Sequence, residues 1–419
     1  MTTSTAGRLR SQAGFTLVEM LVSTALIVVV TGSVFSMLNP SYGTFQAQPE
    51  VSDMQQRMRV AADAVQKDLV MAGAGTYSGF MVGTLDNYFA PILPHRVGTI
   101  NADPAGSFRA NALCPTTCAS AITIMYVPNT NAQTTIRTDM PTPSSELKVN
   151  QQPGCPEDAR DLCGFDNGDR VLIFDPSGAY DIFTITNVQD EALHLQHRDD
   201  KFTQKYYAGA WITQVESHTY YLDEVPATNT YQLRHYDGFQ TDLPVVDNVV
   251  DFRVEFFGDP LPPQLVRLVS DPVGPWTTYG PKPPEITIDN DKDTWGMGEN
   301  CIFHVDGVSG RQVARPEIQT LGTALDGPVS LPAAMLTDGP WCPADTSTDG
   351  EAMPNKFDAD LLRVRRVRIT LRVQSANDLL RGPAGVLFRH GGRSSGGQRF
   401  VPDQEVRFDV SPRNMNLGR

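Results

Sequence analysis

The chain has 419 residues, 40% of them apolar and 20% charged, the proportions of a folded protein able to bury a sizeable core and unlike those of a disordered chain. Lysine and arginine number 34 against 48 aspartate and glutamate, a formal net charge of -14. That balance opposes non-specific attraction to nucleic acid, so a DNA-handling role starts at a disadvantage.

At the amino terminus MTTSTAGRLRSQAG is short and basic, ends on Gly14, and is followed at once by an apolar run from Phe15 to Leu38. That run holds one ionisable residue, Glu19, and is long enough for a bilayer core, which needs about 20 apolar residues. A secretory signal puts its small-residue cleavage site after the apolar stretch. Here the glycine stands before it, so cleavage there leaves the anchor on the mature chain. Gly14-Phe15-Thr16-Leu17-Val18-Glu19 resembles the cleavage and methylation motif of type IV prepilins and type II secretion pseudopilins. The resemblance implies cutting after Gly14 by a prepilin peptidase, methylation of the new amine of Phe15, and a role for Glu19 in assembly and axial register through the amine of a neighbouring subunit. Independently, an ionised carboxylate in a bilayer costs roughly 2.5 kcal/mol or more unless something neutralises it, and an amine is its natural partner. The alternative is a glutamate that snorkels near one end of an ordinary anchor. Ser23, Thr24, Thr31, Gly32, Ser33 and Ser36 either suit close helix packing or are small residues that a membrane helix tolerates.

A break is expected around Asn39-Pro40, and Pro49 is a second candidate for a kink. Beyond it Val51, Met54, Met58, Ala61, Val65, Leu69 and Ala72 form one stripe of an amphipathic helix. Asp53, Gln56, Arg57, Arg59, Asp63, Gln66 and Lys67 supply its polar side, and glycine should end it at Gly73 or Gly75. The stretch Ala61 to Gly73 is also similar to the corresponding part of PilW-like minor pilins. Weaker likenesses to the same group lie at Gly168 to Phe174 and Val245 to Phe252, each of which reads equally as a plain strand.

From there the chain is strand-rich. Alternation appears in Ala121 to Val127, Arg170 to Phe174, Tyr180 to Thr186, Ala192 to Gln196, Tyr231 to Tyr236, Phe252 to Phe256, Val364 to Val373, Val386 to Phe388 and Val406 to Val410. Prolines and glycines crowd residues 258–354, which read as a loop-rich insertion. The expected fold is therefore α+β: a leader at 1–14, an amino-terminal helix at 15–75 with a transmembrane part at 15–38, and a large antiparallel β-rich head at 76–419. The six cysteines, Cys114, Cys118, Cys155, Cys163, Cys301 and Cys342, lie outside any C-x-x-C spacing and suggest disulfides in an oxidising compartment. Neighbouring pairs such as Cys114 with Cys118 and Cys155 with Cys163 would leave Cys301 for Cys342, one of fifteen connectivities; a four-thiolate zinc site is the rival.

Chemistry-bearing constellations are few. Asp289, Asp291, Asp293 and Glu299 crowd oxygen ligands into a short loop, which suits calcium. The match to an EF-hand loop is partial: Thr294 replaces the turn glycine and Asn300 takes the place of the bidentate glutamate, so a solvated acidic turn competes. Gly392-Arg393-Ser394-Ser395-Gly396 matches a nucleophile elbow in letters, with His390 nearby, yet no helix pattern follows it and a hairpin loop is expected. Arg366, Arg368 and Arg372 stripe one strand, where pairing with Asp and Glu of a neighbouring strand is expected in preference to phosphate. The histidines, His194, His197, His218, His235 and His304 among them, show no metal spacing and read as strand residues. No nucleophile, base and oxyanion donor assemble into an enzyme.

The reading is a minor pilin-like structural subunit of a type IV pilus, at an initiating or tip position with an adhesive role open to its head. A minor pseudopilin of type II secretion is the near alternative, and a membrane-tethered enzyme or ligand-binding module the distant one. The resemblance implies other pilins or pseudopilins as partners through the helix, together with the peptidase, inner-membrane assembly machinery and the membrane itself; no nucleic acid is expected. It also implies a single inner-membrane pass with the head outside the cytoplasm, then a place on the pilus or cell surface after assembly.

Overall fold

A computed structural model of the chain describes residues 14–75, 90–97, 121–128, 132–142, 146–152, 155–156, 160–174, 180–197, 202, 206–225, 230–260, 303–310, 312–314, 328–337, 360–377, 380–381 and 401–415. One long helix, α1 (Leu17–Met71, 55 residues), leads into a head of antiparallel sheets. The helix runs unbroken through Pro40 and Pro49, which corrects the break expected at Asn39-Pro40. Each proline removes one backbone hydrogen bond, a local cost that the turns on either side absorb.

The two halves of α1 meet different surroundings. From Phe15 to Met37 the large apolar side chains are exposed, whereas Met54, Ala61, Val65, Leu69 and Ala72 are buried. The period of about 3.6 residues puts that second set on one face, which packs against the head. After the Ala72 cap, Gly73 takes φ +74, the left-handed turn that ends helices, and its N–H donates to Met125 O at 3.0 Å. Asn414 Nδ2 donates to the end carbonyls of Met71 and Ala72.

Under this face lies a five-stranded sheet ordered β1 (Ile92–Leu93), β2 (Ala121–Tyr126), β9 (Glu216–Val225), β10 (Thr230–Tyr236) and β11 (Asp242–Asp247). Pro244 sits in β11, an edge strand, where its missing N–H costs least. Asn248, at φ 58, turns the chain directly into β12 (Val249–Gly258) of a second sheet, ordered β15 (Val329–Leu331), β12, β16 (Val364–Val373) and β17 (Gln404–Val410). Helix and both sheets share one core, in which Leu69, Ile124, Leu233, Phe252, Val254 and Ile369 are buried. Within the stretch 258–354 read as loop-rich, β15 and the short helix α2 (Ala333–Thr337) join this core through Leu331 and Leu336. β13 (Phe303–Val305) and β14 (Gln312–Ala314) form a separate hairpin.

A third sheet is inserted between β2 and β9; alternation in the sequence marks three of its strands but not their grouping into a separate sheet. Its order is β3 (Gln133–Thr135), β8 (Trp211–Gln214), β5 (Arg170–Phe174), β6 (Tyr180–Gln189), β7 (His194–His197) and β4 (Leu147–Lys148). The two ends meet: Ile136 bridges Val149, and Arg137 N–H donates to Lys148 O at 2.8 Å. The sheet thereby closes into a small barrel filled by Phe165, Val171, Ile173, Phe183, Leu195 and Ile212. Closure removes the exposed edges that a six-stranded sheet would otherwise present. A disulfide joins Cys155 and Cys163, whose Cα atoms are 5.7 Å apart. Cys114, Cys118, Cys301 and Cys342 lie outside the described residues.

Candidate assembly site

The candidate assembly segment begins where α1 begins. Thr16 caps the helix: Glu19 N–H donates to Thr16 Oγ1 at 3.2 Å, while Thr16 N–H and Oγ1–H donate to Glu19 Oε2 at 2.9 and 2.8 Å. This reciprocal capping box satisfies amide donors that a helix start leaves open. Both of the bonds that the Glu19 carboxylate accepts use Oε2, so Oε1 remains available among the described residues. Gly14 is exposed, a Cβ built on it meets nothing within 4 Å, and its φ lies outside the left-handed region. Neither packing nor backbone strain in this chain demands a glycine there.

Along the next turns Ser23 Oγ donates to Glu19 O, Thr24 Oγ1 to Met20 O, and Ser33 Oγ to Val30 O. Hydroxyls satisfied on their own helix can face lipid without leaving an open donor. Leu17–Met37, 21 exposed residues, is long and apolar enough to cross a membrane. Residues 9–35 match the family model of the prokaryotic N-terminal methylation motif. This supports a type IV pilin-like or pseudopilin subunit, and the motif implies in general assembly with other pilins and processing by a prepilin peptidase. Neither a curated protein nor a solved structure matches the chain.

A second cluster, which the sequence reading missed, lies where α1 meets the five-stranded sheet. Asp68 is buried on the helix face and accepts from Tyr126 Oη at 3.2 Å and Tyr220 Oη at 2.6 Å. His218 Nδ1 lies 3.4 Å from Asp68 Oδ2 and 2.7 Å from His235 Nε2, while His218 Nε2 lies 3.2 Å from Glu216 Oε2. The rings stack, Tyr126 on His218 at 5.1 Å and His218 on His235 at 4.9 Å. Burial holds His235 below its ordinary value; the hydrogen bond with His218 holds Glu216 below the usual carboxylate range. A second tie from helix to head is Glu50, whose Oε2 accepts from Ser375 Oγ at 2.7 Å and Ala376 N–H at 3.0 Å.

The arginine stripe of β16 is matched by carboxylates of β17 and its flank. Arg368 forks onto Asp409 at 2.6 and 2.9 Å, with Arg366 3.8 Å from the same carboxylate and lying over Phe257, and buried Arg372 is 3.8 Å from Asp403. Asp289, Asp291, Asp293 and Glu299, the calcium candidates, and Ser394 with His390 lie outside the described residues.

Proposed function

We propose that this chain is a minor pilin of a type IV pilus, cut after Gly14, methylated on Phe15, and placed at an initiating or tip position from which its head meets the surroundings. The observation that carries this reading is the continuity of one helix from a prepilin-type motif, through a fully exposed apolar segment, to a face buried in a large head. Lateral packing of other subunits would cover the exposed half. Glu19 Oε1 would take the methylated amine of a neighbour, and this pairing would set the axial register. A head that carries, among the described residues, two sheets, an inserted closed barrel and a further hairpin is bulky for a shaft repeated many times, which favours a rare position.

Intact-mass and amino-terminal analysis of the chain from a cell with its own peptidase tests the first step. A chain starting at methylated Phe15 is expected. An intact leader, or cleavage beyond Leu38, would defeat the reading. Because a Cβ at position 14 meets nothing within 4 Å, Gly14→Leu should fold normally yet keep its leader and stay out of filaments. Glu19→Ala should be processed but incorporated poorly, and unchanged incorporation would remove the proposed pairing. Recovery of the chain at the ends of sheared surface filaments, by immunogold labelling, would distinguish the pilus from a secretion pseudopilus.

A further inference from the structure

The buried junction of α1 with β9 and β10 carries a donor set that assembly does not use. Asp68 of the helix, His218 of β9 and His235 of β10 each bring one ligand atom to within 4.8 Å of the others. Two imidazoles and a carboxylate are the donors that zinc takes with three protein ligands, water filling the fourth position. We propose that Asp68, His218 and His235 form a zinc site that clamps the pilin-type helix to the head.

The arrangement around the three ligands supports this. The Glu216 carboxylate beside His218 Nε2 accepts that proton, which leaves the Nδ1 lone pair aimed between Asp68 and His235. A carboxylate behind the histidine is the arrangement that fixes tautomer and ring orientation in histidine metal ligands. Spacing agrees as well, because tetrahedral zinc with bonds of about 2.0–2.1 Å sets its ligand atoms about 3.3 Å apart. Asp68 Oδ2 and His218 Nδ1 already stand at 3.4 Å. His218 Nδ1 and His235 Nε2, hydrogen-bonded at 2.7 Å, would have to part by about 0.6 Å to reach that spacing, within the scope of a ring rotation at the half-buried His235. The proton that His235 Nε2 donates to His218 in the metal-free state moves to His235 Nδ1 when the ion binds. Asp68 otherwise rests on two neutral phenol donors, and zinc supplies the positive charge that a buried carboxylate needs.

The test uses the mature full-length chain, purified in detergent without reductant, stripped with chelator and titrated with zinc against a chromophoric competitor. One zinc per chain and a raised melting temperature are expected. Glu216→Gln should keep the stoichiometry and weaken affinity about 10–100-fold, Asp68→Asn and His235→Gln should weaken it further still, and His194→Gln should leave it unchanged. Near-UV circular dichroism checks that the metal-free variants are folded. Should both ligand variants misfold, X-ray absorption of the zinc-loaded wild type decides: two imidazole nitrogens with oxygen uphold the site, and an all-oxygen or sulfur shell overturns it. No saturable zinc, or zinc retained by both folded variants, also overturns it.

Discussion

Leu69→Ala tests whether the helix is an integral part of the head or merely a stalk attached to it. Leu69 is fully buried, in a core shared by α1 and two sheets. Removing its three terminal carbons loses about 0.8 kcal/mol each, or about 2.4 kcal/mol, in transfer free energy. A residual void of about 40 Å³ adds on the order of 1 kcal/mol at about 24 cal/mol per Å³, because strands on two sides hold the site open. The expected loss is therefore about 3 kcal/mol. Val60→Ala on the same helix, at a position 48% exposed, should cost less than about 0.5 kcal/mol. Urea unfolding of the detergent-solubilised mature monomer, followed by tryptophan fluorescence, reads both as midpoint shifts at constant slope. Equal midpoints for the two variants would show that α1 does not share the head's core, and the account of the junction would fall with it.

Three further tests probe the head. Gly258→Ala would place a Cβ 1.8 Å from Arg363 O, so β12 and β16 must separate locally; a large fall in melting temperature is expected, and a neutral outcome would refute the close approach. Asp360→Ala strips a fully buried carboxylate from Arg363 Nη1, 2.8 Å away, and should cost about 3–5 kcal/mol, measured by denaturant unfolding and partly recovered when Arg363→Met removes the stranded charge. Burial pushes His95 down to about 4, so its unfolded form binds protons first. Its contribution is complete above the unfolded value of about 6.5 and is lost as pH falls from there towards about 4. Between about pH 7.5 and about pH 5 the wild type should lose about 2 kcal/mol more than His95→Gln, and parallel pH profiles would contradict this.

How far the sequence could be read depended on how local each signal is. The burial of Met54, Ala61, Val65 and Leu69 follows from a 3.6-residue period within one helix, and β5 and β16 follow from alternation within one strand. The closed barrel rests instead on β3 and β4, strands of three and two residues, and on the bridge between Ile136 and Val149, none of which offers alternation to count. β9 escaped notice because its buried residues include Ser217 and Thr219, the latter bonded to Thr123 at 2.8 Å, so polar letters occupy inward positions. Proline misled in the other direction at Pro40, since a helix that continues on both sides tolerates the lost bond.

The same distinction separates the two sites. Gly14, Phe15 and Glu19 fall within six consecutive residues, so the proposed processing and assembly motif is legible as a string. Asp68, His218 and His235 come from three elements far apart in the chain, and no spacing rule joins them. One clue was nevertheless present. Asp68 stands three residues after Val65 and four before Ala72, which places it on the apolar face of α1, away from the carboxylates and cations of the polar face. A carboxylate at such a position must find buried donors or a cation in whatever packs against it. The sequence therefore marks the helix side of the junction, and only the pairing of β9 with β10, which sets His218 beside His235, shows what answers it.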